Sequence, residues 1–235
     1  MRIEEYITHG IFRCEIKNRF RCIVEVDGQE ELCYVASSCR LSQFIYLEGK
    51  EVLLLPKGES ASKTKYTLYA VKKGNGYILL NLSMANNTLQ EQLHRRIFSF
   101  FFFIQNILRE KTEAGYKADL YVEDSNMLIE VKTIISDRKE AESPTVYSER
   151  SIEQLRRIKK LLKDGYKFCY MFAVLSPTVK LVTVKEDTEF YSEFKECIEA
   201  GMIYKAFSIK TSEHELCVRG PIAIDGCIGI LEPEN

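Results

Sequence analysis

Several familiar chemistries are missing from this chain. Its eight cysteines (Cys14, Cys22, Cys33, Cys39, Cys169, Cys197, Cys217 and Cys227) form no C-x-x-C pair and sit mostly inside apolar runs. They read as reduced, buried, small hydrophobes, not as a dithiol or zinc-ribbon framework. The histidines, His9, His94 and His214, are scattered without the spacing of a zinc site. No Gly-rich phosphate loop and no G-x-S-x-G elbow occurs, so P-loop and serine-hydrolase chemistry have no footing. The net charge is −1. That excludes a generally basic nucleic-acid binder but leaves room for a local basic patch. The apolar run Ile97 to Ile104 is closely bounded by Arg95, Arg96, Arg109 and Glu110. It is far short of the roughly 20 residues of a membrane span. It reads as the buried middle of a core helix, with a partner-binding helix as the alternative. No signal peptide is visible, and with reduced cysteines the expected compartment is the cytoplasm.

What is present is a foldable chain of 235 residues, 46% hydrophobic and 29% charged, enough for one large or two small domains. Residues 1–85 read as all-β. Strand-like runs at Phe12–Lys17, Arg21–Asp27, Glu31–Ser37, Lys50–Leu55, Tyr66–Lys72 and Tyr77–Leu82 are separated by Asp27-Gly28, Glu48-Gly49, Pro56-Lys57-Gly58 and Gly74-Asn75-Gly76. Short strands at that density predict a small barrel of the OB type, with Lys57–Lys65 as a loop. Arg13, Lys17, Arg19, Phe20 and Arg21 interleave cations with an aromatic, as a strand-binding groove would. The plainer reading has Phe20 in the core and the cations on an ordinary surface.

Residues 86–235 read as a mixed α/β domain, giving an α+β protein overall. A helix is predicted from 87 to 110, capped by Asn86 or Asn87 and delivering Glu110 close to the next element. A polar connection, Ser136 to Thr145, precedes a helix from Ser148 to Asp164 ending at Gly165. The continuous apolar run Phe168–Leu175 predicts a central strand. A helix over Glu186–Ala200 and strands at Met202–Ile209 and Glu215–Arg219 complete the pattern.

The chemistry concentrates in Lys117 to Thr133, KADLYVEDSNMLIEVKT. Strand formers flank the turn formers Glu123-Asp124-Ser125-Asn126, a β-hairpin signature. A turn centred on Asp124 and Ser125 sets Val122 against Met127 and Asp119 against Glu130. Lys132 falls on the same face as Glu130 by the two-residue period of a strand. Facing carboxylates repel unless a cation lies between them. Hard oxygens from Asp119, Glu130 and the Val131 backbone carbonyl suit Mg²⁺ or Mn²⁺. A bound metal acidifies water and stabilises charge on a phosphate, and the Lys132 ammonium orients the attacking water. This D…E-x-K pattern resembles the PD-(D/E)xK nuclease core. The same alternation is also the ordinary solvent face of a hairpin.

Three segments, in order along nearly the whole chain, resemble the sugar fermentation stimulation protein family (SfsA). YTLYAVKKGNGYILLNLSMAN looks like its YTLxxV…G…VNTxxAN segment. KADLYVEDSNMLIEVKTI looks like its S-R-I-D-F-L…V-E-V-K-S hairpin. PTVYSERSIEQL is similar to its P-D-A…T-E-R-G…H-L segment. The resemblance implies an OB-like nucleic-acid-binding domain over 1–85 and a PD-(D/E)xK-like domain over 86–235. It places Asp119, Glu130 and Lys132 on the core positions, Glu110 on the upstream acid, and Glu149 and Arg150 on the T-E-R segment. Arg40, Lys117 and Arg150 join Arg13, Lys17, Arg19 and Arg21 as candidate contacts to nucleic acid, DNA being taken ahead of RNA. Where the family has C-P-N-T-G-x-M, this chain has VASSCRL, Val35 to Leu41. A loop that needs Gly for positive φ or close phosphate approach cannot keep that geometry with Cys39. Lys117 replaces an Arg, Thr145 an Asp and Gln154 a His. The functions in view are a Mg²⁺-dependent nuclease, a non-catalytic DNA-binding regulator on the same scaffold, and an interaction module without nucleic acid.

Overall fold

The computed structural model describes residues 1–3, 6–37, 39–58, 63–101, 104 and 106–225. Five strands build the first unit: β1 (Thr8–Glu15), β2 (Arg21–Val26), β3 (Gln29–Tyr34), β4 (Glu51–Pro56) and β5 (Tyr66–Lys73). They pair in the order β3-β2-β1-β4-β5, and β3 then closes on β5 in parallel through Cys33↔Tyr66 and Tyr34↔Thr67. A five-stranded barrel of that connectivity is an OB-fold. The β2–β3 turn is tight because Asp27 and Gly28 both adopt positive φ, 51° and 78°. Along β2, Cys22, Val24 and Val26 point inward while Ile23 and Glu25 are more exposed. Gly10 on β1 lets β2 approach closely: a Cβ there would lie 2.6 Å from Val24 Cγ1 and 2.8 Å from the Glu25 carbonyl oxygen. Of the loop expected over Lys57–Lys65, positions 59–62 lie outside the described residues.

β6 (Gly76–Leu79) turns back along β5 and leads into α1 (Leu82–Gln92), whose N-cap is Asn81. The helix predicted over 87–110 is therefore corrected. It starts earlier and stops at Gln92, and a 3₁₀ segment, Arg96–Phe101, follows with non-helical φ/ψ at Phe98. Aromatic side chains lose χ1 freedom in a helix. This run instead turns Phe98 and Phe101 into the core, with the Phe98 ring 4.6 Å from that of Phe207. Phe102 and Phe103 of the run lie outside the described residues. A strand, β7 (Ile107–Arg109), occupies what was expected to be the helix end.

A small hairpin, β8 (Thr112–Glu113) and β9 (Tyr116–Lys117), precedes β10 (Leu120–Val122) and β11 (Met127–Ile134). The polar connection contains a strand, β12 (Glu140–Ser143). After it come α2 (Glu149–Lys163), β13 (Lys167–Val174), β14 (Leu181–Val184), α3 (Glu189–Glu199), β15 (Ile203–Thr211), β16 (Leu216–Pro221) and β17 (Ala223–Asp225). The second sheet runs β6-β15-β13-β11-β10-β7, with β16 on β15. β12, β14 and β17 form a separate parallel sheet that local patterning did not show. β6 belongs to both units, pairing β5 on one side and β15 on the other.

β13 is buried on both faces, as its unbroken apolar run predicts. Phe168, Tyr170, Phe172 and Val174 pack with Leu155, Ile158, Phe190 and Phe194 of α2 and α3. Cys169, Met171 and Ala173 share the other core with Ala85 and Leu89 of α1. On neighbouring β11, Leu128 and Ile134 face the α2 side, so Glu130 and Lys132 between them face α2 as well. Among the described residues no helix is long and apolar enough to cross a membrane.

Candidate functional site

The hairpin register is the one the turn residues predict. Val122 pairs with Met127 and Leu120 with Ile129, around a 3₁₀ turn at Glu123–Ser125 closed by Asn126 in the left-handed region. Pairing stops at Leu120, one residue short of Asp119. There the Asp119 side chain accepts a hydrogen bond from the Val131 backbone N–H through Oδ2, at 2.8 Å. A strand residue's N–H and C=O project to the same edge, so the Val131 carbonyl also faces the Asp119 side. Asp119 Oδ1 has no protein donor among the described residues.

Glu130 is 4% exposed. A buried carboxylate needs donors, and this one has three. Tyr116 donates to Oε2 at 2.6 Å, while Lys132 Nζ and Gln154 Nε2 donate to Oε1 at 2.7 and 2.9 Å. Lys132 Nζ also donates to Gln154 Oε1 at 2.7 Å, so the Gln154 amide bridges the carboxylate and the ammonium. Burial and then the Glu130 charge push Asp119 up to about 6; the Val131 N–H and Lys132 act against that rise. Burial, followed by the Glu130 charge, holds the Tyr116 hydroxyl far above its usual range, so it remains a donor.

Glu110 is placed differently from expectation. No helix delivers it: it follows β7 with φ 51°. Its backbone N–H donates to the Asp119 carbonyl at 3.1 Å. Its side chain is 65% exposed and pairs with Lys117 at 2.6 Å, and that bond holds the Glu110 carboxyl below its ordinary range. Among the described residues no three His, Cys, Asp or Glu side chains gather as a metal cluster. The oxygens that could hold a divalent cation here are Asp119 Oδ1, the Val131 carbonyl and Glu130, whose two oxygens already accept from Tyr116, Lys132 and Gln154. The raised Asp119 and its unengaged oxygen fit such an ion, because a cation relieves the repulsion that raises the carboxyl.

Tyr116, Lys117 and Gln154 also line a cleft of about 380 Å³, together with Gly115, Arg150, Glu153 and Arg157. Tyr116 and Gln154 thus hold Glu130 and also line a cleft that carries cations, while Asp119, Glu130 and Lys132 are not among its lining residues. Sequence reasoning gave Tyr116 no role and saw Gln154 only as a substitution for His. Their contacts to Glu130 span 14 and 24 positions, which local patterning does not read.

The barrel candidates divide. Arg13 is paired with Glu25 at 2.5 Å. Arg40 donates to the Ile16 and Lys17 carbonyls at 3.3 and 3.0 Å and holds a loop. Lys17, Arg19 and Arg21 have no acidic partner among the described residues. They lie in or beside the β1–β2 loop, where Arg19 stacks 4.7 Å over the Phe20 ring. Phe20 is 39% exposed and is not a core residue. In the VASSCRL segment, Ser37 Oγ donates to the Cys39 carbonyl at 2.8 Å, and Cys39 is not among the positive-φ residues. Ser38 lies outside the described residues.

Fold and site together define an OB barrel extended by a helix-flanked α/β domain with an acid–acid–lysine patch on its hairpin. The family model described as the sugar fermentation stimulation protein RE domain matches residues 83–215, and the SfsA N-terminal OB domain matches 16–80. The chain belongs to the sugar fermentation stimulation protein family. It is 26% identical to a sugar fermentation stimulation protein homolog of Desulfitobacterium hafniense, over 85% of this chain and 88% of the relative. It is 28% identical to that of Ruminiclostridium cellulolyticum, over 83% and 85%. Among solved structures it is similar to Pyrococcus furiosus SfsA in complex with Ca²⁺. The TM-score is 0.81 at 20% identity, covering 96% of this chain and 99% of that one, a likeness of fold.

Proposed function

We propose that the chain is a Mg²⁺-dependent nuclease that hydrolyses phosphodiester bonds of nucleic acid, with DNA as its first candidate substrate. The observation that carries this reading is the gathering of Asp119, Glu130 and Lys132 into one patch beside a cationic cleft. Asp119, Glu130 and the Val131 carbonyl would hold the ion. Bound there, Mg²⁺ or Mn²⁺ supplies Lewis acidity toward a phosphate oxygen and a more acidic water. Lys132, fixed by Glu130 and Gln154, presents its ammonium beside the carboxylates, where it binds phosphate and orients the attacking water. Tyr116 holds the Glu130 carboxylate in place by donating to its Oε2. Family membership supports a nucleic-acid-related role, and the Pyrococcus relative, solved in complex with Ca²⁺, is consistent with a cation site in that protein.

One observation favours a second reading, a non-catalytic nucleic-acid-binding protein. Both Glu130 oxygens are already engaged by protein donors, and Glu110 is turned to solvent. Cleavage of labelled single- and double-stranded DNA and RNA with Mg²⁺, Mn²⁺ or chelator separates the two. The nuclease reading expects metal-dependent products that disappear in Asp119→Asn and Lys132→Ala. Salt-sensitive binding without any metal-dependent product would overturn it.

A further inference from the structure

We infer that the cleft beside the hairpin is a binding site for a single strand of nucleic acid. In this site Arg150 and Arg157 of α2 hold backbone phosphates, and Tyr147 stacks on a base. The proposal deepens the reading above and rests on it for the ligand being nucleic acid. Arg150, Gln154 and Arg157 lie at helical spacing on one stripe of α2, and all three line the cleft. The cations of α2 are not equivalent. Arg156 is bound by Glu153, Glu189 and Glu193, and Lys159 by Glu193 and Glu196, so their charge serves the α2–α3 contact. Arg150 and Arg157 have no acidic partner among the described residues. Their charge is available to an external anion. Even with Lys117 paired to Glu110, the two arginines outnumber the one acid that lines the cleft, Glu153.

Tyr147 is the second observation. It immediately precedes the N-cap Ser148, the position from which an apolar residue normally packs down on the first turn. Here that partner position, Ile152, is buried without it, and Tyr147 stands 75% exposed beside exposed Val146. Tyr147 is not a lining residue of the cleft, but it stands exposed at the start of the helix whose next turns carry Arg150 and Arg157. An outward aromatic followed by guanidinium groups without acidic partners is the composition of a sequence-tolerant single-strand platform. Size points the same way. A cleft of about 380 Å³ lies near the small end of ligand pockets, which run from roughly 300 to 1,000 Å³. It can take one nucleotide of a flexible strand, whereas a duplex would have to lie across its mouth.

The test is fluorescence anisotropy with a labelled oligothymidylate and with a blunt duplex of equal length. Chelator is present throughout, and salt is raised stepwise. The unaltered chain is expected to bind the single strand at least about tenfold more tightly. Arg150→Ala/Arg157→Ala is expected to weaken that binding about tenfold and to flatten the log–log salt dependence by about 1.4. Tyr147→Ala is expected to weaken it about fivefold or more with the salt slope unchanged. Lys160→Ala/Lys163→Ala, on the same helix but off the cleft, serves as control. Equal or tighter duplex binding, no binding of either probe, or equal losses in the arginine and control pairs would overturn the proposal. Because no metal is present, these outcomes are independent of cleavage. Absence of turnover with Mg²⁺ counts against the nuclease reading alone.

Discussion

Tyr116 places its hydroxyl 2.6 Å from Oε2 of Glu130, a hydrogen bond between the small β8–β9 hairpin and the central strand β11. It links a peripheral element to the most buried carboxylate of the site. Tyr116→Phe keeps the ring, which packs edge-on against Phe168 with centroids 5.3 Å apart, and removes only the donor. A buried charged acceptor that loses a partner costs about 1–3 kcal/mol. Urea unfolding is expected to show a loss of that size at unchanged m-value.

Asp119 gives the metal-free protein a pH dependence of definite sign. Its carboxyl is raised from 3.8 to about 6, so between those values the folded chain holds a proton that the unfolded chain has released. Stability contributed by this group is therefore full below the lower value and lost as pH rises through the upper one. A shift of that size corresponds to at most roughly 3 kcal/mol. Subtracting the stability of Asp119→Asn from that of the unaltered chain, measured in chelator, should give a curve that falls from about pH 4 to about pH 6 and is flat above. A flat difference curve would place Asp119 in water.

A divalent cation should reverse that penalty. Anything that binds only the folded state stabilises it by mass action, about 2.7 kcal/mol at a hundred times the dissociation constant. Millimolar Mg²⁺, Mn²⁺ or Ca²⁺ is expected to raise the melting temperature of the unaltered chain by several degrees. Asp119→Asn should abolish the shift and Glu110→Gln should leave it, because Glu110 points to solvent. An equal loss in Glu110→Gln would return that side chain to the ion.

Gly10 tests the barrel independently of the site. Gly10→Ala would drive a methyl group to 2.6 Å from Val24 Cγ1 and 2.8 Å from the Glu25 carbonyl oxygen, closer than side chains or backbone allow. Overpacking of this kind costs about 1–3 kcal/mol. The expected result is a lower denaturant midpoint with hairpin-site cation binding intact.

Much of the candidate site could be read because it is local. Glu123-Asp124-Ser125-Asn126 made a turn, and the two-residue period then fixed Val122 against Met127 and put Lys132 on the face of Glu130. Ser148 and Gly165 bracketed α2 for the same reason: capping is a short-range hydrogen-bond requirement. The helix read over 87–110 fails beyond Gln92 because its aromatic run has apolar residues on every side. Only contact with Phe207, more than a hundred positions away, decides which of them turn inward.

The sequence by itself determined the strand-rich barrel region, the hairpin with its three chemical groups, and the helix and buried strand after it. Periodicity, turn formers and caps act over a few residues. Tertiary structure alone decided that β3 closes on β5, that β6 joins the barrel to the second sheet, and that β12, β14 and β17 find one another. It also decided that Tyr116 and Gln154 complete the shell of Glu130, and that Arg156 and Lys159 pair with acids of α3 while Arg150 and Arg157 have no acidic partner among the described residues. Each of these depends on which distant groups burial brings within hydrogen-bonding distance, and the spacing of residues along a chain does not encode that.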